Sequence, residues 1–162
     1  DGDVVAVDGL EVHVIGTPGH TADSLSFFVP GDGAVLTGDT VLGRGTTVVA
    51  HPDGELGAYL DSLDKLHRLA AEYELRSIWP GHGPVIDDAL GVLDYYITHR
   101  QQRLAQVESA LATLRSDGAA TALSADELPR RVVEVVYADV DQVLWGAAEL
   151  SVRAQLAYLA QR

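Results

Sequence analysis

Pro18-Gly19-His20-Thr21, Thr37-Gly38-Asp39-Thr40 and Pro80-Gly81-His82-Gly83 are built alike. In each, a short apolar run with the character of a strand gives way to a glycine, and the next residue is one able to bind a metal. Glycine at that point lets the backbone turn sharply or pass close to a neighbour, where a Cβ would clash. Two histidines and a carboxylate, His20, Asp39 and His82, are thereby delivered on three loops. If each loop leaves the end of a strand, all three side chains can project from one sheet edge. Imidazole and carboxylate are the donors left to a chain with no cysteine, and they suit zinc, iron or manganese.

The rest of the inventory narrows the function classes. A length of 162 residues with 47% hydrophobic and 22% charged residues is ordinary globular composition for one domain with a small appendage. Eleven Lys and Arg against 24 Asp and Glu give a net charge of −13, which argues against general nucleic-acid or anionic-membrane binding. The lack of cysteine excludes disulfides, thiolate zinc sites and cysteine nucleophiles. No apolar run approaches a bilayer span and no signal-peptide pattern opens the chain, so a cytoplasmic protein is expected. The first residue is Asp1 and methionine is absent, from which the expectation is the later part of a longer chain.

Taken in order, Val4 to Val7 and Leu10 to Ile15 flank Asp8-Gly9, a strong hairpin signal. Leu10, Val12 and Val14 share one face of the second strand, and His13 is expected to face solvent. A second hairpin spans Leu25 to Val29 and Ala34 to Thr37 around Pro30-Gly31-Asp32-Gly33. From Val41 to Gly57 the chain has the composition of a long loop, with His51 a further candidate ligand or substrate contact and disorder the plainer alternative. Leu60, Leu63, Leu66 and Leu69 then mark an amphipathic helix from Leu56 to Tyr73, with His67 facing water. Arg76 to Trp79 is a short strand leading to the third loop.

After Pro84 the pattern becomes helical. Leu90, Ile97, Leu104 and Leu111 repeat every seven residues, and Leu93, Val107 and Leu114 keep a second row that Arg100 breaks. Beside His99 and Arg103, Arg100 has two readings: a side chain snorkelling from the seam's edge, which is the commoner case, or a polar contact to the site. Ser116 to Ala125 has linker composition, Ser124 and Glu127 have capping-box spacing before a helix to about Tyr137, and Trp145 to Leu159 is a last helix. The division expected is 1–86, a connecting helix over 87–115, and a tail over 116–162.

Thr17-Pro18-Gly19-His20-Thr21 with Asp23-Ser24, Leu36-Thr37-Gly38-Asp39-Thr40, and Pro80-Gly81-His82-Gly83-Pro84 resemble, in wording, order and spacing, the later motifs of the metallo-β-lactamase-fold hydrolases. The tail resembles the subgroup with a winged-helix-like domain, of the β-lactamase-like endoribonuclease type, on Val132 to Tyr137 and Ala147 to Leu159. The resemblance implies an α+β fold: half of a metallo-β-lactamase αββα sandwich followed by a small helical winged-helix-like tail. It implies two divalent metal ions, zinc first, with His20 on one, His82 on the other and Asp39 bridging both as the catalytic carboxylate. It also marks a departure. The family's His-x-His-x-Asp-His motif, which supplies two ligands to each metal, occurs nowhere in these residues.

Three functions follow from these readings. The first is hydrolysis of a small ester, thioester or lactone by a metal-bridging hydroxide, in a chain that would be inactive without the missing motif. The second is an RNA phosphodiesterase, with Arg44, Arg100 and Arg103 as the obvious basic contributors. The third is a catalytically silent assembly module pairing through the long helix. Expected partners are a small-molecule substrate and a homodimer mate or the missing N-terminal half, which would cover an otherwise open apolar sheet face. Nucleic acid is disfavoured and a membrane is not expected.

Overall fold

The computed structural model describes residues 1–118 and 123–162, so the middle of the expected linker, 119–122, lies outside the described residues. Five strands form one sheet in sequence order: β1 (Val4–Val7), β2 (Leu10–Gly16), β3 (Leu25–Val29), β4 (Ala34–Gly38) and β5 (Ser77–Pro80). The first four are successive antiparallel hairpins, whereas β5 runs parallel to β4 after a crossover through helix α1 (Leu56–Glu72). With this topology β2, β4 and β5 point the same way. Their C-terminal ends share one edge, and the three glycine loops leave from it.

Register decides which sheet face is covered. Val4, His13, Phe28, Val35 and Ile78 align across the strands, and Phe28, Val35 and Ile78 are buried with Tyr59, Leu63 and Leu66 of α1 and with Leu93 and Tyr96 of α2 (Ala89–Ser116). His13 belongs to this row near its open end: its ring is 5.5 Å from that of Phe28, yet it keeps 34% exposure and pairs with Glu11, so the expected solvent contact is retained in part. The other face carries the row Val14, Phe27, Leu36 and Trp79 and, further out, Val5, Val7 and Leu10. There Val5 is 54% exposed, Val7 61%, Leu10 54%, Leu25 44% and Phe27 37%. The chain thus presents an apolar sheet face that its own helices leave uncovered.

The helices refine the sequence patterns. On α1 the buried stripe is Leu56, Tyr59, Leu63, Leu66 and Ala70, while Leu60 and Leu69 are its half-buried flanks. His67, expected in water, is half-buried and bonds Asp94 at 3.0 Å, linking α1 to α2. On α2 the fully inward row is Leu93, Arg100, Val107 and Leu114, so Arg100 occupies a core position of the seam and is only 5% exposed. Leu90, chosen from the sequence for the other row, is 37% exposed. The second half of α2 packs with α3 (Glu127–Val136) and α4 (Trp145–Ala160) in a second core that includes Val107, Leu114, Val132, Val133 and Val152. Ser124 and Glu127 close the expected capping box, with the Glu127 carboxylate accepting from the Ser124 amide at 2.9 Å. Among the described residues no helix is long and apolar enough to cross a membrane.

Candidate metal centre

The three loops converge through backbone hydrogen bonds. The Gly81 amide donates to the Gly38 carbonyl at 2.7 Å and the Gly43 amide to the His82 carbonyl at 2.8 Å, so the loops after β4 and β5 are tied together. Gly19 has φ +136° and lies so close to α1 that a Cβ there would come within 2.3 Å of the Tyr59 Cα. No residue but glycine fits that approach. Ser24 closes its own turn by accepting from the Thr21 amide at 3.2 Å, as turn structure requires.

Asp39 stands between the two histidines. Its Oδ2 is 3.8 Å from His20 Nε2 and its Oδ1 is 3.5 Å from His82 Nε2. These separations are long for hydrogen bonds but near the edge, about 3.3 Å, of a tetrahedron with metal–donor bonds of about 2.05 Å. Each carboxylate oxygen faces a different imidazole, the arrangement a bridging ligand needs. His20 Nδ1 is held by the Val48 carbonyl at 2.7 Å, which places the proton on Nδ1 and leaves the Nε2 lone pair toward Asp39. The donors therefore fit a divalent metal in type and tautomer, and the His82 pair lies nearer the ideal spacing than the His20 pair. Among the described residues, however, no three His, Asp or Glu converge on one point, so each position has a single histidine and one oxygen of Asp39. The two positions differ in exposure: the His20 side chain is 28% exposed and that of His82 77%.

The composition of residues 41–57 implies a loop but not how firmly the fold holds it. Val41 and Val49 are buried in the core. Tyr96 Oη accepts from the Leu42 amide at 2.9 Å, and Thr47 Oγ1 donates to the Asp39 carbonyl at 2.7 Å. Tyr59 Oη donates to the Thr40 carbonyl at 2.6 Å. Burial, only partly opposed by Arg100, raises the pKa of Tyr59 above 10.0, so this donor stays protonated. Arg100 donates to the Thr47 carbonyl and lies over the Tyr59 ring, 5.0 Å from its centroid, which makes it the polar contact toward the site rather than a snorkelling side chain. His51 lines a separate crevice with Tyr158 of α4 and the adjoining Gln161.

Residues 1–82, which is 82 of 162, match the metallo-beta-lactamase superfamily, and residues 129–162 match the beta-lactamase associated winged helix domain. Beta-lactamase-like protein 2 homolog of Caenorhabditis elegans is 43% identical over 111 residues, covering 68% of this chain and 35% of that protein. Its Drosophila melanogaster counterpart is 34% identical over 152 residues, covering 94% of this chain and 46% of that protein. Lactamase-like protein nscB of Arthroderma benhamiae is 36% identical over 164 residues, covering 91% and 36%. The chain thus spans less than half the length of each of these relatives. A crystal structure of a metallo-beta-lactamase family protein from Thermus thermophilus overlays 99% of this chain and 48% of that one, with a TM-score of 0.72 at 26% identity. Half the chain under one family match, and three glycine loops gathered at one sheet edge, lead to the same statement: this chain belongs to the metallo-beta-lactamase superfamily and carries the winged helix domain associated with it.

Proposed function

We propose that the chain supplies one side of a binuclear metal-hydrolase centre, with His20 on one ion, His82 on the other and Asp39 bridging. The observation that carries this is the Asp39 carboxylate, whose two oxygens lie 3.8 and 3.5 Å from two different imidazole nitrogens. One histidine and a shared carboxylate are too few donors for a catalytic ion, which takes three protein ligands. The remaining donors come from outside these residues, on a layer that covers the open face of Val5, Val7, Leu10 and Phe27. When bound, the ions would supply Lewis acidity and a water activated near neutral pH. The chain's own residues hold the frame: Val48 fixes the His20 tautomer, and Thr47 and Tyr59 pin the backbone of Asp39 and Thr40. Zinc is the first choice, with iron and manganese compatible with the same donors.

The substrate class proposed is a small ester, thioester or lactone, because the net charge of −13 opposes polyanions. A second reading, an RNA phosphodiesterase, draws on the winged helix match and the clustered His99, Arg100 and Arg103. The test is metal analysis of the full-length protein purified without chelator, beside His82→Ala and Asp39→Ala, followed by an ester, thioester and lactone panel. About two ions per chain, lowered in both variants, are expected. No metal in the unsubstituted protein would leave a silent assembly module, and RNA binding with a steep salt dependence would move the reading to phosphodiester hydrolysis.

A further inference from the structure

His99, Arg100 and Arg103 meet in one cavity of about 400 Å³ between the long loop, α2 and the tail. Thr46, Thr47 and Tyr137 also line it, and among the described residues no carboxylate does. In a chain with 24 acidic and 11 basic residues, a cavity with three nitrogen side chains and no acid is a marked local reversal of charge.

Arg100 is the telling residue. It occupies a core row of α2 with Leu93, Val107 and Leu114, where a leucine would complete the seam. At 5% exposure, its guanidinium has no carboxylate within ion-pair distance among the described residues, and its Nε has no hydrogen-bond partner. The Thr47 carbonyl and the Tyr59 ring engage one part of the group and leave its charge uncompensated. A buried cation without a counter-charge is costly, and a buried polar atom left unpaired calls for strain, a catalytic role, a water or a bound ion to account for it. Arg103 approaches from the rim, stacked 4.6 Å from the Tyr137 ring centroid.

The cavity also adjoins the metal-ligand loops. Thr47 and Val48 line it, while the Thr47 hydroxyl donates to the Asp39 carbonyl and the Val48 carbonyl holds His20. The strip 46–48 thus touches both the cavity and the candidate metal ligands. We propose that this cavity binds the carboxylate or phosphate group of a small substrate, with Arg100 beneath the anion and Arg103 and His99 beside it. The word substrate rests on the hydrolase reading; the anion site itself does not.

The test is calorimetric titration of the metal-stripped full-length protein with glutarate, with inorganic phosphate and with a short single-stranded RNA, at constant ionic strength. Saturable one-site binding of glutarate or phosphate is expected, and which of the two binds more tightly separates a carboxylate from a phosphate ligand. Arg100→Gln and Arg103→Gln should each weaken it about tenfold, the size of one lost charge-assisted hydrogen bond. Arg76→Gln, an exposed arginine bonded to the Asp32 carbonyl, should leave it unchanged. If Arg100→Gln does not fold, the rim variant Arg103→Gln decides. No saturable binding of either anion, unchanged binding in folded Arg103→Gln, or binding of RNA alone would overturn the proposal. Because the titration is run without metal, its failure leaves the metal-centre reading standing, and a failed metal analysis leaves anion binding to be judged separately.

Discussion

Replacing Gly81 with alanine separates the geometry of the candidate centre from the stability of the fold. A Cβ at this position would lie 2.8 Å from Asp39 Oδ1 and 3.1 Å from the carbonyl carbon and oxygen of Gly38, where ordinary contact begins at 3.4 Å. The overlap is thus about 0.6 Å with the carboxylate and about 0.3 Å with the backbone, taken as differences from 3.4 Å. The Asp39 side chain is 37% exposed and free to turn, so relief falls on the carboxylate. The stability cost should stay near 1 kcal/mol, the low end of overpacking. The turn moves Oδ1 away from its place 3.5 Å from His82 Nε2, and metal sites tolerate only about 0.2 Å in donor position. Metal binding at the His82 position should therefore weaken by about 10- to 100-fold, as when a supporting contact to a ligand is lost. Competitive zinc titration and thermal unfolding of the full-length protein measure the two effects. Wild-type affinity for two ions in Gly81→Ala would refute the assignment of Asp39 as the bridge, and so would a loss of affinity only in proportion to unfolding.

Gly19→Ala should act on the fold itself, because its Cβ would come within 2.3 Å of the Tyr59 Cα with φ at +136° and no flexible side chain to give way; a cost of about 3 kcal/mol is expected, and an unchanged melting temperature would contradict it. Burial first, then Arg100 and Arg103, hold the His99 pKa below 6.5. As pH falls through that value the unfolded chain takes up a proton that the folded chain resists, so stability should decline from about pH 6.5 toward the folded pKa. His99→Gln should flatten this slope in urea titrations at a series of pH values, and an identical slope would exclude His99 as its origin. The 162-residue chain alone should self-associate through the face of Val5, Val7, Leu10 and Phe27, and substituting Val7 and Phe27 with lysine should reduce the association. A monodisperse monomer in sedimentation velocity at micromolar concentration would contradict that expectation.

Local pattern was enough for most of the elements. Asp8-Gly9 and Pro30-Gly31-Asp32-Gly33 can only turn, alternation over Leu10 to Ile15 is a strand, and the spacing from Leu56 onward is a helix, because each depends on backbone sterics within a few residues. That the three glycine loops could meet was also legible, since each follows a strand, but that β2, β4 and β5 point the same way is a result of the sheet topology. Which face of the sheet is covered was not legible. The His13, Phe28 and Val35 row and the Val14, Phe27 and Leu36 row are both apolar enough to be buried, and only the placement of α1 and α2 chooses the first. Arg100 shows the limit most clearly. Its seven-residue spacing from Leu93 and Val107 marks a break in a seam, but its partner carbonyl belongs to Thr47, 53 positions away. His20 and Val48, 28 positions apart, meet in the same way. Contacts at such separations depend on how the long loop folds back over α1, and no local preference of the residues in them encodes that path.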